Sequence, residues 1–224
     1  MFSYYGSKSK IVDYYPPPKH KRIIEPFAGS ARYSLKYFDR QVTIYDKYEV
    51  VIRIWKFLQQ ATETDIKNLP EPTYKQSVED FNISPDEKLL LGFMVARGIA
   101  SPQMFCDIPL AKRNIIENLH KIKHWEIKQG CYTDIENVDA TWFIDPPYQF
   151  GGEHYRHGSK QINFLELGEW CKGRNGQTIV CENTKADWLQ FKPMIEFNGA
   201  YDKTVEAIWS NLPTNYDNVQ QSLF

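Results

Sequence analysis

The sequence lacks both the cysteine spacing of a metal site and the long apolar run of a membrane span. Its four cysteines, Cys106, Cys131, Cys171 and Cys181, form neither a CxxC pair nor a Cys/His cluster, so structural zinc is not expected. The longest apolar stretch, LLLGFMVA at 89–96, is far too short to cross a bilayer, and the first ten residues lack the apolar core of a signal peptide. We therefore expect a reduced, cytoplasmic protein without a metal ion and outside the membrane.

The sequence also lacks a net charge that could hold nucleic acid by itself. Lys and Arg number 27 against 28 Asp and Glu, which leaves a net charge of −1. Any contact with nucleic acid must then come from local basic residues and not from a global field. At 224 residues the chain is long enough for one well-cored α/β domain with a small insertion, and short for two full domains.

Several apolar stretches read as buried strands that end in polar residues or in a tight turn. They are KRIIEPFAG at 21–29, QVTIYD at 41–46, WEIKQGCYTDI at 125–135, ATWFIDPPY at 140–148 and QTIVCENT at 177–184. Helical spacing follows the first two strands. Alternating strands and helices with polar residues at the strand ends predict an α/β fold with a mostly parallel, doubly wound sheet and a ligand site along that edge.

The segment 63–124 interrupts this alternation and reads as mostly helical. Helices are predicted at SPDEKLLLGFMVARG (84–98) and LAKRNIIENLHKIK (110–123). Ser84 as a helix cap, with Pro85 and Glu87 after it, supports the start of the first. We interpret 63–124 as a helical insertion into one domain made of 1–62 and 125–224.

The turn Asp145-Pro146-Pro147-Tyr148 follows the apolar run TWFI. Prolines could merely stop a strand, and Tyr148 could merely cover the core. However, an aspartate among apolar walls needs a donor or a charge partner, and a planar amine would supply one. The Pro146 carbonyl adds a second acceptor, and the Tyr148 ring offers a face for a flat heteroaromatic base. Together they predict a grip on the amino group and the plane of a base.

The segment EPFAGS at 25–30 is not a dinucleotide fingerprint, because the second and third glycines of G-x-G-x-x-G are absent. A pyrophosphate is therefore not expected. Asp46, at the end of the next strand, has the position from which a carboxylate holds ribose hydroxyls in such sheets. The two observations indicate a nucleoside cofactor without a diphosphate, and S-adenosylmethionine is the candidate.

The order of these motifs resembles that of the Dam-type adenine-specific DNA methyltransferases. The matching residues are Tyr5-Gly6-Ser7-Lys8, Glu25 to Ser30, Asp46, Asp134 and Asp145 to Tyr148, which cover nearly the whole chain outside the insertion. The resemblance implies a Rossmann-like, S-adenosylmethionine-dependent catalytic domain, with the insertion as a target recognition region. It also implies that Asp145, Pro146 and Tyr148 are catalytic.

The same resemblance implies roles for the remaining site residues. Tyr4, Tyr5 and Lys8 would line the methionine end of the cofactor, with Lys8 near its carboxylate, and Phe27, Ala28, Gly29 and Ser30 would form the loop beneath it. Asp46 would bind the ribose, Asp134 and Ile135 would contact the adenine of the cofactor, and Asp145 would also bind the cofactor. We expect Arg97, Gln103, Lys112 and Arg113 in the insertion, and Arg156 and Lys160 after the catalytic turn, to contact DNA.

The function predicted from the sequence is therefore methyl transfer to the 6-amino group of an adenine extruded from double-stranded DNA. We expect a monomer in solution, with a dimer on DNA as the alternative. Three other functions stay open: methyl transfer to RNA adenine, methyl transfer to a protein glutamine amide, and a non-catalytic nucleic-acid-binding relic. The first two present the same planar amine to the same four residues.

Overall fold

The computed structural model describes residues 1, 2, 4, 6–96, 107–198, 203–214 and 216. Its centre is a sheet of seven strands in the order β3-β2-β1-β4-β5-β7-β6. The strands are β1 (Arg22–Glu25), β2 (Gln41–Asp46), β3 (Glu126–Gln129), β4 (Ala140–Ile144), β5 (Gly176–Asn183), β6 (Lys192–Asn198) and β7 (Lys203–Ser210). The first five are parallel to one another, and β7 runs antiparallel to both β5 and β6. The predicted α/β class with a mostly parallel sheet is confirmed.

The apolar strands lie at the centre of this sheet because both of their faces are covered. All five residues of β4 are buried, and β5 is buried from Gln177 to Glu182. Continuous apolar runs of this kind are typical of parallel strands between two layers of helices. The chain turns from one half of the sheet to the other between β1 and β4. In open α/β sheets, ligands bind at the carboxyl ends of the strands on either side of such a switch point.

Six α-helices accompany the sheet. They are α1 (Arg32–Lys36), α2 (Glu49–Gln60), α3 (Glu63–Lys67), α4 (Pro85–Ala96), α5 (Ile108–Ile116) and α6 (Phe164–Lys172) in the described part of the chain. The predicted cap of α4 is present, since the Ser84 backbone N–H donates to the Glu87 carboxylate at 2.7 Å and Glu87 N–H donates back to the Ser84 hydroxyl at 3.3 Å.

The second helix of the insertion differs from its predicted bounds. It begins at Ile108 and not at Leu110, because the Asp107 carboxylate accepts from the Leu110 N–H at 2.8 Å and caps the helix. It ends at Ile116, and a short 3-10 helix, Leu119–Ile122, follows it. The Asn118 side chain donates to the Asn114 carbonyl at 2.7 Å, so a side chain takes up a carbonyl of the last helical turn.

The insertion packs into the same hydrophobic cluster as the sheet. Leu90, Leu91 and Phe93 of α4 are buried there, and the Phe2 ring meets Phe93 and Trp55 edge to face at 6.0 and 5.2 Å. Sharing one core favours an insertion over a separately folding unit. The boundaries at 63 and 124, and the role in target recognition, stay predictions.

Candidate active site

Asp145 follows β4 directly, at the carboxyl edge of the sheet beside the switch point. Its carboxylate forms an ion pair of 3.0 Å with the ammonium of Lys8. Burial raises the pKa of Asp145 to about 6, and the nearby charge of Glu206 acts in the same direction, while Lys8 opposes both. The predicted charge partner of this aspartate is therefore a lysine of the N-terminal segment.

Lys8 is buried and links Asp145 to Tyr148. Its Nζ donates to the Tyr148 hydroxyl at 2.5 Å and lies 4.4 Å from the centre of the Tyr148 ring. Burial by itself lowers the pKa of Lys8, but the charges of Asp145 and Glu206 outweigh burial and raise that pKa overall, so the ammonium stays charged. The resemblance placed Lys8 near the carboxylate of the cofactor, whereas in the structure its ammonium contacts Asp145 and Tyr148 of the turn at 145–148.

Glu206 of β7 is a buried carboxylate that the sequence analysis missed. It accepts hydrogen bonds from the hydroxyls of Tyr15 and Tyr148, both at 2.5 Å, and lies 3.5 Å from Lys8 Nζ. Because β7 is antiparallel, its first half pairs with the last residues of β5, with Glu206 opposite Asn183. That pairing brings Glu206 to the same edge as Asp145. In the segment EAIWSN it reads only as one polar residue in a strand.

A second buried glutamate fixes the far end of the turn at 145–148. Glu182 of β5 accepts from the Gln149 N–H at 2.6 Å and from the Trp188 indole N–H at 3.2 Å. A side chain on Gly152 would place its Cβ 2.3 Å from the Tyr148 carbonyl oxygen, so only glycine permits this close return of the loop. The turn at 145–148 is thus tied at both ends to the sheet.

The loop at Phe27–Ser30 is held by its neighbours in the predicted place. Ala28 N–H donates to the Tyr45 carbonyl at 2.8 Å, and the Gly29 carbonyl accepts from the Trp55 indole at 2.9 Å. Gly29 has a φ of +44°, and a Cβ there would lie 3.0 Å from the Tyr4 ring. Glycine is therefore favoured at this position by both the backbone conformation and the close approach of the Tyr4 ring.

Asp46 ends β2 and caps this loop. Its carboxylate accepts from Gly29 N–H at 3.0 Å and from Tyr48 N–H at 2.8 Å. Burial raises the pKa of Asp46 to about 6, although the two backbone hydrogen bonds favour the charged form. The predicted ribose ligand thus lies at the predicted edge and also orders the glycine turn.

These residues surround a first cavity of about 240 Å³ at the carboxyl ends of β1, β2 and β4. The predicted residues that line it are Tyr4, Lys8, Phe27, Ala28, Gly29, Ser30, Asp46 and Asp145. Pro146 is buried, and the neighbouring Pro147 contributes to the wall in its place. Tyr5 lies outside the described residues.

Neither of the two residues predicted to contact the cofactor's adenine, Asp134 and Ile135, lines the first cavity. Ile135 faces the second hydrophobic cluster with Trp142, and Asp134 is exposed in the short 3-10 helix Tyr132–Asp134. The first cavity is bounded instead by Tyr132 and Thr133, with the Tyr132 ring 5.6 Å from that of Phe27. The side chain of Ile135 therefore does not line the cavity, because a buried apolar residue is needed against the sheet at that position.

Arg32 is a second cation at the first cavity, near Ser7 and Ser30. Its Nε donates to the Ser7 hydroxyl at 3.1 Å and its Nη2 to the Phe2 carbonyl at 3.2 Å. The Ser30 hydroxyl donates to that of Ser7 at 3.1 Å. The sequence analysis did not single out Arg32, so its place at the cavity was not predicted.

A second cavity of about 920 Å³ lies on the Tyr148 side of the turn at 145–148. Tyr148, Phe150, Phe197 and Glu206 contribute to its wall. The two cavities adjoin, since both are lined by Tyr4, Gly6, Ser7, Lys8, Arg32 and Tyr155. The turn at 145–148 therefore lies between two spaces that could each take one reactant.

The residues predicted to contact DNA divide into three groups. Arg97 and Gln103 lie outside the described residues. Arg113, Arg156 and Lys160 are exposed, and Arg156 also lines a groove between α4 and the loop after the catalytic turn. The prediction for Lys112 is wrong in this structure: its ammonium is buried and donates to the Lys67 and Leu69 carbonyls and to Glu71 at 2.6–3.1 Å. Its three donors are used within the insertion.

The described residues form neither a membrane-spanning helix nor a metal-binding cluster. No helix among them is long and apolar enough to cross a membrane. Within the same ranges, no group of three or more His, Cys, Asp or Glu side chains could hold a metal ion.

Comparison with known proteins gives likenesses of fold at low sequence identity. No family model and no curated protein matches the chain. Among solved structures, the rRNA methyltransferase aviRa from Streptomyces viridochromogenes has a TM-score of 0.41 at 11% identity, over 86% of this chain and 79% of that one. The candidate methyltransferase yhhF of Escherichia coli has a TM-score of 0.38 at 10% identity, over 90% and 78% of the two chains.

Scores and identities this low carry no argument about activity or substrate. The fold class is instead read from the order and directions of the strands, with the antiparallel β7 inserted between β5 and β6. This sheet is the one found in Rossmann-like S-adenosylmethionine-dependent methyltransferases.

Proposed function

We propose that this protein transfers a methyl group from S-adenosylmethionine to the exocyclic 6-amino group of an adenine in double-stranded DNA. The observation that carries the proposal is the position of the turn at 145–148, which presents Asp145, paired with Lys8, to the first cavity and Tyr148 to the adjoining second cavity at the switch point of a methyltransferase-type sheet. The first cavity would take the cofactor, and the second would take the extruded base.

The first cavity has the groups that this cofactor requires. Its negative groups, Asp46 and Asp145, suit ribose hydroxyls and a sulfonium, and its aromatic walls, Phe27 and Tyr132, suit an adenine. S-adenosylmethionine supplies the methyl group on a positively charged sulfur. Because Lys8 is already paired with Asp145, we assign the methionine carboxylate to Arg32, which lines the same cavity and whose guanidinium lies beside Ser7 and Ser30.

The chain's own residues would make the amine nucleophilic. The lone pair of an adenine amino group is delocalised into the ring. If the Asp145 carboxylate and the Pro146 carbonyl accept the two N–H groups, the lone pair turns toward the methyl group and the developing positive charge is stabilised. Holding the amine and the methyl in line can contribute roughly 7–11 kcal/mol. Asp145 then takes the proton that leaves the methylated amine.

The second cavity would receive the base once it leaves the duplex. Extrusion costs a few kcal/mol of stacking and pairing. Tyr148 and Phe150 offer aromatic surface to offset this cost, and the Tyr148 ring is fixed by its hydrogen bonds to Lys8 and Glu206. A base that stacks on Tyr148 would bring its amine beside Asp145, three residues earlier in the same turn.

The proposal is tested by transfer of tritium from labelled S-adenosylmethionine to duplex DNA, to RNA and to a protein lysate. We expect label in duplex DNA, and sequencing of modified bases should find N6-methyladenine at a defined site. Label confined to RNA or to protein glutamine would replace the proposed substrate by one of the other two planar amines. Cofactor binding without transfer to any of the three would contradict the enzymatic role.

A two-ligand experiment separates Asp46 from Arg32. S-adenosylhomocysteine has both a ribose and a methionine carboxylate, whereas methylthioadenosine lacks the carboxylate. Asp46→Ala should weaken both ligands by about 1.5–3 kcal/mol, the range for hydrogen bonds to a charged group. Arg32→Ala should weaken S-adenosylhomocysteine alone.

Titration calorimetry measures the affinity of the parent and of each variant for the two ligands, and thermal melts check that each variant is folded. If Arg32→Ala weakened the binding of both ligands equally, Arg32 would not be the partner of the methionine carboxylate. If Asp46→Ala left both affinities unchanged, the ribose would not bind at Asp46.

The exposed residue Arg156 gives a test of the DNA partner. Because it would neutralise one phosphate, Arg156→Ala should weaken target and scrambled duplexes alike and reduce the slope of log affinity against log salt by about one unit. Lys172→Ala is the matched control, because Lys172 ends α6 just before β5 begins, at the opposite edge of the sheet from the site. A change of sequence preference without a change of salt slope would contradict the phosphate role.

A further inference from the structure

The surroundings of Asp145 contain a chain of polar contacts that reaches well beyond the catalytic turn. It runs from Asp145 to Lys8 at 3.0 Å, from Lys8 to the Tyr148 hydroxyl at 2.5 Å, and from that hydroxyl to Glu206 at 2.5 Å. Tyr15 donates a second hydroxyl to Glu206 at 2.5 Å. Residues from the N-terminal segment, the catalytic turn and β7 are thus joined in one buried cluster.

Two carboxylates in this cluster share one ammonium. Lys8 Nζ lies 3.0 Å from Asp145 and 3.5 Å from Glu206, and Glu206 is only 1% exposed. Buried charges interact strongly because little water screens them. The positive charge of Lys8 therefore stabilises both carboxylates and not Asp145 alone.

The two tyrosines keep Glu206 supplied with donors. Burial raises the pKa of Tyr148 well above its usual value, and the charge of Glu206 adds to the effect. Burial likewise raises the pKa of Tyr15, with Cys181 and Glu206 adding to it. Both hydroxyls therefore remain protonated, and O–H groups at 2.5 Å from a carboxylate oxygen are typical of strong, charge-assisted hydrogen bonds.

We propose that Glu206 is a positioning residue for methyl transfer: by holding Lys8 and Tyr148, it keeps Asp145 in place as an anion that is only partly neutralised. This proposal rests on the proposed function. With Glu206 absent, Lys8 would pair fully with Asp145, and the Asp145 carboxylate would be a weaker acceptor for the two N–H groups of the incoming amine. Glu206 is not proposed to touch the reacting atoms.

Several other groups face Asp145 and enter any titration of it. Burial raises the pKa of Glu25 to about 8 and also raises the pKa of Glu182. The charge of Asp145 increases both pKa values further. The titratable or charged groups on the elements around Asp145 are Lys8 and Tyr15 of the N-terminal segment, Glu25 of β1, Tyr148 of the turn, Cys181 and Glu182 of β5, and Glu206 of β7. Substitution of Glu206 leaves the other six in place.

The experiment compares Glu206→Gln with the parent across pH. Removing the negative charge of Glu206 should lower the pKa of Asp145, because Lys8 then stabilises this carboxylate alone. We expect the acid limb of the kcat/KM profile to move down by about one pH unit, and the plateau rate to fall. Carbon-13 NMR of labelled aspartates in the unliganded protein should show the same downward shift for Asp145, which is assigned by its loss in Asp145→Asn.

Two further variants give the sign and the control. Tyr15→Phe removes one donor from Glu206, so Lys8 is drawn toward Glu206 and the Asp145 midpoint should move up, opposite to Glu206→Gln. If Glu206→Gln fails to fold, this opposite shift still decides the proposal. Glu196→Gln, on the exposed side of β6, should leave both the profile and the NMR midpoint as in the parent.

The outcomes separate this inference from the proposed function. A parent that transfers no methyl group to any substrate would reject the proposed function, yet the NMR titration of the unliganded protein would still test Glu206. An active parent whose acid limb and Asp145 midpoint are unchanged in Glu206→Gln, or a Tyr15→Phe midpoint that does not rise, would overturn the inference.

Discussion

Replacing Asp145 with alanine is expected to lower the rate of methyl transfer by about 10²–10⁴-fold. The substitution removes the carboxylate that would accept from the amine, and it also removes the partner of the Lys8 ammonium at 3.0 Å. Affinity for S-adenosylhomocysteine should change far less, because Asp46 and the loop at Phe27–Ser30 are untouched. Single-turnover transfer to a target duplex and calorimetry with the cofactor product measure the two effects separately.

Asp145→Asn distinguishes an acceptor that must be charged from one that need only be present. Burial raises the pKa of Asp145 to about 6, so the parent's kcat/KM should rise with pH through that value as the carboxylate ionises. The asparagine oxygen can still accept one N–H but does not titrate. The variant should therefore be slower than the parent and lack the rise near pH 6. A parent rate independent of pH between 5 and 7, or turnover of Asp145→Ala within a few-fold of the parent, would reject the role assigned to Asp145.

Much of the fold follows from local sequence because its strands are continuous apolar runs with a polar residue at one end. ATWFI and QTIVCE read as buried strands, and the sheet buries both. The parallel part of the sheet has carboxyl ends that meet at one edge, so Asp46 and Asp145 could be expected to lie near one another. The hairpin of β6 and β7 was less predictable, since Lys192–Asn198 carries a proline and charged residues.

The parts of the site that sequence could not predict depend on contacts between distant segments. Tyr15 and Glu206 are separated by 191 residues and meet only because β7 runs antiparallel beside β5. Lys112 reads as an exposed helical lysine. In the structure, however, α3 and the chain after it cover this ammonium, which donates to the backbone carbonyls of Lys67 and Leu69. Neither set of contacts can be recognised from hydrophobic periodicity or from a local motif in the sequence.

The charge pattern of the site explains why the motif at 145–148 and the motif at 5–8 occur together. A carboxylate as buried as Asp145 would protonate without a cation nearby, and an ammonium as buried as Lys8 would lose its proton without an anion. Each group therefore requires the other to keep the charge that the proposed chemistry uses. The resemblance that linked the two motifs by their order in the sequence thus has a physical counterpart in one ion pair.

Replacing Lys8 with methionine is the most severe test of this arrangement. Methionine keeps the length and apolar stem of lysine but leaves Asp145 and Glu206 buried without their shared cation, and breaking a buried pair in this way typically costs about 3–5 kcal/mol. The free energy of unfolding at pH 7, from denaturant titration, should fall by that order. Methyl transfer should fall by at least about 10²-fold, because Asp145 loses both its position and its charge.

The pH dependence of Lys8→Met gives the sign of the electrostatic effect. Without the ammonium, the pKa of Asp145 in the folded variant should rise further above its value in the unfolded chain. The contribution of Asp145 to the stability of the variant is then fully present below the unfolded-state pKa, and it is lost as pH rises through the folded-state pKa. The variant should therefore recover stability relative to the parent as pH falls from 7 toward 5. Lys8→Arg keeps the charge and should retain most of the stability.

Lys67→Met, which breaks the exposed pair with Glu63, is the matched control and should cost little at any pH. A loss in Lys8→Met that is independent of pH would mean that packing of the stem, and not the charge of the ammonium, is what this position contributes. In that case Asp145 could not owe its ionisation to Lys8. Because Glu206 is proposed to position Asp145 by holding Lys8 and Tyr148, the same result would also remove the physical basis for its positioning role.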